Sequence, residues 1–279
     1  MKNILSYALI ASGLLFTHQS QAQSTTLSKL KGILTGISDQ YNTVKDSTKT
    51  TTTSIGTNNT KTGTNNTSTV ANITKKEAAS GIKEALSNGL TNSVRTLSAK
   101  NGFLGDAAVK ILMPAEAQKI EKTLRAVGMG SLCDQFISSM NRAAETAVSE
   151  AGTVFANSLS KMTITDAYSI LLSGNQNAAT TFFKTNTSQE LTTKFSPVIN
   201  DAMGKNNVST YWNQLTTAYN KLPLSKKVET DLTSYVTQKA IDGLFVKVAD
   251  QELKIRENIG GSRSTNLLSK VFGWADTQK

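Results

Sequence analysis

The sequence predicts an all-α fold: an irregular multi-helix bundle around a long central helix at about 131–162 and a second long helix at about 225–258. Three features carry this prediction. Apolar residues recur at helical spacing through most of the chain after Thr74. Proline occurs only three times in 279 residues, which suits helices because proline breaks their interiors. No stretch alternates apolar and polar residues up to a hairpin turn, so no strand is expected.

The chain opens with Lys2, an apolar run from Ile4 to Phe16, and a polar segment ending Ser20-Gln21-Ala22. This pattern predicts a signal peptide over 1–22 and a mature start at Gln23. The run is too short to stay in a bilayer as a span, and no cysteine follows it that could carry a lipid anchor. Residues 23–73 are expected to hold a short amphipathic helix (Leu27, Leu30, Leu34, Ile37, Tyr41) and then a disordered tether. The tether, Asp46 to Ala71, is rich in Thr, Asn, Ser and Gly, repeats GTNNT, and has too little apolar surface to offset its own ordering. Within it, Asp46-Ser47-Thr48 resembles the acceptor pattern of a general O-glycosylation system of exported bacterial proteins, which makes Ser47 a candidate site.

The helical domain spans 74–279. Thr74-Lys75-Lys76-Glu77 reads as a capping box that opens the first helix, and Asn101-Gly102 ends it. A brief helix is expected from Asp106 to Met113, halted by Pro114, then another from Pro114 to about Val127 with Gly128 as its stop. In the central helix, Leu132, Phe136, Met140, Ala143, Ala147, Ala151, Val154, Ser158 and Met162 form one line of eleven-residue period. A second line runs through Ile137, Ala144, Val148, Gly152, Phe155 and Leu159, leaving Gln135, Ser139, Arg142, Ser149, Thr153 and Ser160 for solvent. The alanines should let another helix cross near Ala147, and the 225–258 helix is its natural partner. Thr163 should cap a short helix closed by Gly174; helices from Asn177 to Lys184, from Ser188 with a break at Pro197, and from Val208 to Leu222 follow. Gly260-Gly261 turns the chain into a last helix with Leu267, Leu268, Val271, Phe272 and Trp274.

The candidate polar positions are Asn141, Arg142 and Glu145 on the central helix. Asn141 and Glu145 fall on an apolar line, and a buried carboxylate must be paired, hydrogen-bonded or protonated. Two readings stand side by side: a structural network that fixes helix register, or a ligand or catalytic site. Arg125 and Arg256 are the expected partners of Glu145, from other helices. Glu252 and Arg256, four apart, are expected as a pair worth a few tenths of a kcal/mol if exposed. Asp166, Asp242 and Glu252 are the carboxylates that could join Glu145 in a glycan-cleaving pair.

Net charge is +10 and the pI about 9.6, but the longest basic runs are the pairs Lys75-Lys76 and Lys226-Lys227. That is a diffuse basic surface, with no stripe for nucleic acid and a weak attraction for anionic envelope components. The single cysteine, Cys133, excludes a disulfide framework and reads as a packed side chain. The single histidine, His18, lies in the signal peptide, so the mature chain has neither a His-based triad nor a His-ligated zinc. No metal and no cofactor is expected. Ser-x-x-Lys occurs at Ser28, Ser80 and Ser158, and Lys61-Thr62-Gly63 lies in the tether, the wrong context for a penicillin-recognising serine enzyme. Gly128-x-Gly130 lacks the strand and third glycine of a dinucleotide loop.

Several stretches together carry a resemblance: GIKEALSNG from Gly81, GFLGDAAVKILMP from Gly102, LRAVGMG from Leu124, MNRAAETAV from Met140, ITDAYSILLSGNQNAATTFF from Ile164, YVTQKAIDGLF from Tyr235 and LLSKVFG from Leu267. In this order, over about Thr74 to Gly273, the chain resembles the uncharacterised family of exported bacterial proteins known as domain of unknown function 4197. The resemblance implies a helical, periplasmic or envelope-associated domain and brings no activity, cofactor or catalytic residue. Its segments include Asn141, Arg142, Glu145 and Asp166. The expected function is a non-enzymatic binding or scaffolding protein of the cell envelope, periplasmic or secreted, whose partner is an envelope protein, glycan or lipid. A carboxylate-based glycan hydrolase and a periplasmic lipid carrier are the alternatives.

Overall fold

A computed structural model describes residues 73–221 and 231–278, together with Gly32. The expected signal peptide, amphipathic helix, tether and Ser47 lie outside the described residues. Helices account for nearly all the regular structure, and no strand is present among the described residues. No helix among them is long and apolar enough to cross a membrane.

Helix α1 (Lys75–Ser98) begins at the expected capping box: the Thr74 hydroxyl accepts the Glu77 N–H at 3.1 Å, and the Glu77 carboxylate accepts the Thr74 N–H at 3.0 Å. The helix expected over 106–113 does not form. Asp106 starts one turn, in which the Lys110 N–H donates to the Asp106 carbonyl at 2.8 Å, and the chain then runs extended to Pro114. Along this strap exposure alternates: Lys110 and Leu112 face out, Ile111 and Met113 face in. A 3-10 turn (Ala115–Ala117) leads into α2 (Gln118–Ala126). Left-handed Gly128 closes α2: its N–H donates to the Arg125 carbonyl and the Met129 N–H to the Leu124 carbonyl, which satisfies two carbonyls of the last turn.

The central helix comprises α3 (Gly130–Ala147) and α4 (Ala151–Lys161), joined by a 3-10 turn (Val148–Glu150) whose dihedrals stay right-handed helical. The expected single helix is thus one rod with a tightened turn in its middle. Both apolar lines are inward-facing, with Leu132 and Ser158 only half-buried, and Ser139 and Ser149 from the expected solvent face are buried too. Burial is tolerable because each serine hydroxyl donates to a carbonyl three residues back, Phe136 at 2.7 Å and Thr146 at 2.8 Å.

Helix α5 (Ile164–Leu172) starts at a second capping box, Thr163 with Asp166. Helix α6 (Ala178–Lys205) runs unbroken through Pro197, where two helices and a break were expected. Pro197 and Thr193, whose carbonyl loses its partner, are both exposed, so water can take over the lost bond. The opposite face of α6 presents a buried line of Phe183, Thr187, Leu191, Phe195 and Ile199. Each large side chain so buried contributes about 1.5–3 kcal/mol. Helix α7 (Val208–Asn220) follows, then α8 (Leu232–Arg256) and α9 (Asn266–Asp276). Helix α8 starts at Leu232, where the Asp231 carboxylate caps it by accepting the Ser234 N–H at 3.0 Å; the expected start at Ser225 lies outside the described residues.

The long face of α6 shares the place expected for α8, which also meets the 3-10 turn beside Ala147. Helix α6 packs most extensively on the central helix, and α8 packs chiefly on α6 and α1 while still touching α3. The Phe155 ring on α4 marks the junction, edge-on to Phe183 of α6 at 5.7 Å and to Phe245 of α8 at 6.1 Å.

Candidate functional site

Asn141 sits fully buried on α3, behind the strap. Its side-chain oxygen accepts the Ile111 N–H at 2.9 Å, and its amide nitrogen donates to the Ile111 carbonyl at 2.8 Å and to the Ile137 carbonyl at 2.7 Å. The carboxamide thus stands in for a neighbouring strand, satisfying both backbone groups of a residue in extended conformation. This is why the strap is not a helix: its inward backbone groups are taken by a side chain 30 residues away.

One turn further along α3, the buried Glu145 carboxylate accepts the backbone N–H groups of Phe103 at 3.2 Å and Leu104 at 3.4 Å. Its second oxygen accepts from Arg142 at 2.6 Å, and Arg142 reaches on to the Asn101 side-chain oxygen at 2.6 Å. The expected partners from other helices, Arg125 and Arg256, are engaged elsewhere. Arg125 binds Asp134 at 2.7 Å and Glu121 at 2.9 Å, and these carboxylates, Asp134 foremost, raise its pKa further. The true partners are an arginine on the same helix and two strap amides. Asn141, Arg142 and Glu145 therefore form one fastening for residues 101–111.

The fastened strap forms one wall of an open groove of about 390 Å³ whose other wall is α8. Lys110, Leu112 and Gln118 face Tyr235, Lys239, Asp242 and Val246 across it. Leu112 is 55% exposed and Val246 39%, which leaves two apolar side chains on show beside polar ones. The Tyr235 hydroxyl donates to the Leu112 carbonyl at 2.9 Å, and the Lys239 ammonium lies 5.8 Å from the centre of the Tyr235 ring. Burial, aided by the charge of Glu116, pushes the Tyr235 phenol above its usual pKa and keeps it a donor. Beyond the groove, Lys247 of α8 grips Asp106 at 2.5 Å. The walls meet at Gly243, where an added Cβ would lie 2.8 Å from the Phe103 ring and 3.2 Å from Val109 Cβ.

A family model described as a protein of unknown function, DUF4197, matches residues 72–273. The chain belongs to the DUF4197 family. The strap, its anchors on α3 and both walls of the groove all lie within the matched region. No curated protein and no solved structure matches the chain at a significant level.

The other candidate carboxylates of the DUF4197 domain are tied elsewhere, and none of the three shares a hydrogen bond or ion pair with Glu145. Asp166 completes the α5 capping box; its hydrogen bonds with the Thr163 side chain, then the Thr163 backbone, hold its carboxyl below the usual range. Asp242 accepts from Gln238 at 3.1 Å, lies 4.0 Å from Lys184, and borders the groove. Glu252 forms the expected pair with Arg256, and both are buried. It accepts the backbone N–H groups of Ala179 at 2.9 Å and Thr180 at 2.8 Å, the Thr180 hydroxyl at 2.8 Å and Arg256 Nε at 2.9 Å. Arg256 also donates to the Ile170 carbonyl at 2.9 Å. The pair thus places its anion at the start of α6 and its cation at the end of α5, each matched to the helix dipole it meets. Among the described residues no group of three His, Cys, Asp or Glu side chains could hold a metal ion.

Leu112, Tyr235, Lys239 and Val246 are groove residues that the sequence reading did not single out. One signal was available: Pro114 favours an extended Met113.

Proposed function

We propose that the DUF4197 domain is a non-enzymatic binding or scaffolding module of the bacterial cell envelope, with the groove between the strap and α8 as its ligand-binding surface. The observation that carries this reading is the groove: exposed Leu112 and Val246 lie beside a phenol, an amide, two ammonium groups and a carboxylate, on walls held from behind by buried polar bonds. Apolar contacts with a few fixed polar groups suit a short segment of glycan or peptide. Export is part of the proposal and rests on the apolar run and the small residues Ser20 and Ala22 near its end. The Thr- and Asn-rich segment before Thr74 would then give the domain reach within the envelope.

A glycan hydrolase needs two carboxyl groups flanking one bond. Asp242 is the one carboxylate lining this groove, and the oxygens of Glu145 and Glu252 are occupied by backbone amides and arginines. A lipid carrier needs an interior space for acyl chains. The crevice among α1, α8 and α9, lined by Ile82, Leu86, Val248 and Phe272, has about 20 Å³ of free space, room for about one water molecule. Both observations favour the binding module.

Native mass spectrometry of the exported chain, isolated from the bacterium that makes it, tests the reading. The expected result is a glycan or peptide that stays bound to the wild type and is lost from Val246→Arg. Turnover of that ligand by the purified protein would overturn the non-enzymatic assignment, and a ligand retained by Val246→Arg would move the site away from the groove.

A further inference from the structure

Helix α5 presents a second surface, separate from the groove. Its inner side, Ala167, Ile170 and Leu171, is buried, with α5 packed chiefly on α1. Its outer side carries Ile164, Tyr168 and Leu172, spaced four apart and therefore stacked along one line. Ile164 is 49% exposed and Leu172 40%, so large aliphatic side chains are on show at both ends of one helix line. Tyr168 is half-buried and leans on Trp274 of α9, ring centres 6.2 Å apart, so two amphipathic aromatics stand beside the aliphatic pair.

The charges around this stripe have one dominant sign. The Lys75 ammonium lies 5.6 Å from the centre of the Tyr168 ring. Exposed Lys161 precedes Ile164 by three residues, and Lys83 interacts with Asp166. Asp166 is the only carboxylate on α5, and it is bonded into the Thr163 cap. The chain as a whole carries +10.

We propose that the α5 face docks on an anionic lipid surface, inserting Ile164 and Leu172 at headgroup depth, with Tyr168 and Trp274 at the interface and Lys75 and Lys161 on the phosphodiesters. Tyrosine and tryptophan favour such boundaries, having one apolar body and one polar tip. A stable protein–protein interface needs about 800 Å² per partner from some 20–30 residues, far more than a stripe of three side chains supplies. Reversible attachment to a bilayer needs only a few inserted apolar groups and several cations. This inference does not depend on the groove or on what the groove binds.

The test uses the chain from Gln23 carrying Trp212→Phe, which keeps a ring against Phe136 and leaves Trp274 as the sole fluorophore of the two tryptophans. It is mixed with vesicles of phosphatidylcholine and phosphatidylglycerol, and with vesicles of phosphatidylcholine alone. The expected result is co-sedimentation and a blue shift of Trp274 with the anionic vesicles, both weakened by added salt. Adding Ile164→Ser and Leu172→Ser should lower the affinity at least about tenfold, and Lys75→Gln about fivefold. Val127→Ser, which alters a still more exposed apolar residue just after α2, should change nothing. Absence of binding to the anionic vesicles, or full binding by the double serine variant, would overturn the proposal. A dimer at sedimentation equilibrium that the double variant dissociates would assign the face to a second copy instead.

Discussion

Glu145 and Glu252 are both more than nine-tenths buried, and each accepts two backbone amides and an arginine of its own helix, yet they fasten different kinds of chain. Glu252 meets the first turn of a regular helix, where N–H groups already point outward together. Its amide bonds are 2.9 and 2.8 Å, and the Arg256 side chain is 6% exposed. Glu145 meets an irregular turn, where Phe103 and Leu104 converge on it less well, at 3.2 and 3.4 Å, and the Arg142 side chain is 26% exposed. A helix end is a ready-made anion site; a loop must be shaped into one by several side chains, here with Asn141 and Asn101 assisting. The two charge clusters therefore differ in how much each stands to lose.

The largest expected effect is at the helix end. Glu252→Ala strands Arg256 in the interior and leaves the first turn of α6 uncapped, which should cost about 3–5 kcal/mol in urea unfolding. Replacing Glu252 and Arg256 together by apolar residues should cost less than the sum of the single changes, since no unpaired charge remains. Asn141→Ala should come next, at about 3 kcal/mol, given one to three for each stranded backbone group of Ile111. Amide exchange should then quicken at Ile111 while the first turn of α6 stays protected. Glu145→Gln should cost only about 1–2 kcal/mol, because Arg142 can turn to water and the amide oxygen still accepts from the strap. A Glu145 effect equal to that of Glu252 would erase the contrast.

The smallest effect is a pH dependence of the strap. The Lys247 hydrogen bond holds the Asp106 carboxyl below its ordinary range. Because the folded value is depressed, the stabilisation is fully present above the unfolded value of about 3.9 and is lost as pH falls through the lower folded value. With the Asp106 side chain 31% exposed, the loss should be a few tenths of a kcal/mol and absent in Asp106→Asn, as read from urea midpoints across that range.

What the sequence made legible was local. Thr74 with Glu77, the Thr163 cap, Gly128 and the apolar lines of the central helix all act through residues within a turn or two, and these features are found where they were expected. The departures come from long-range partners. Residues 106–113 look helical until Asn141 takes the Ile111 backbone, and Pro197 looks like a break until α6 turns it to solvent. Glu145 could be read as buried and paired from its place on an apolar line. Its partners could not, since the strap amides carry no side-chain signature. The Glu252–Arg256 spacing was plain, but its burial depends on α5 and α6 meeting beside it.

Glu252 also sets an order of assembly. Asn141 and Glu145 reach back 30 to 42 residues, so the strap can be secured once the chain has been made to the end of α3. Glu252 reaches back 72 and 73 residues to the start of α6. Short loops close before long ones, at lower entropic cost, and a chain made from its N-terminus offers them first. The first turn of α6 must therefore wait without its cap through the synthesis of α7 and nearly all of α8. The corner between α5 and α6 is the joint that closes late, when the last turn of α8 delivers the anion and the cation together.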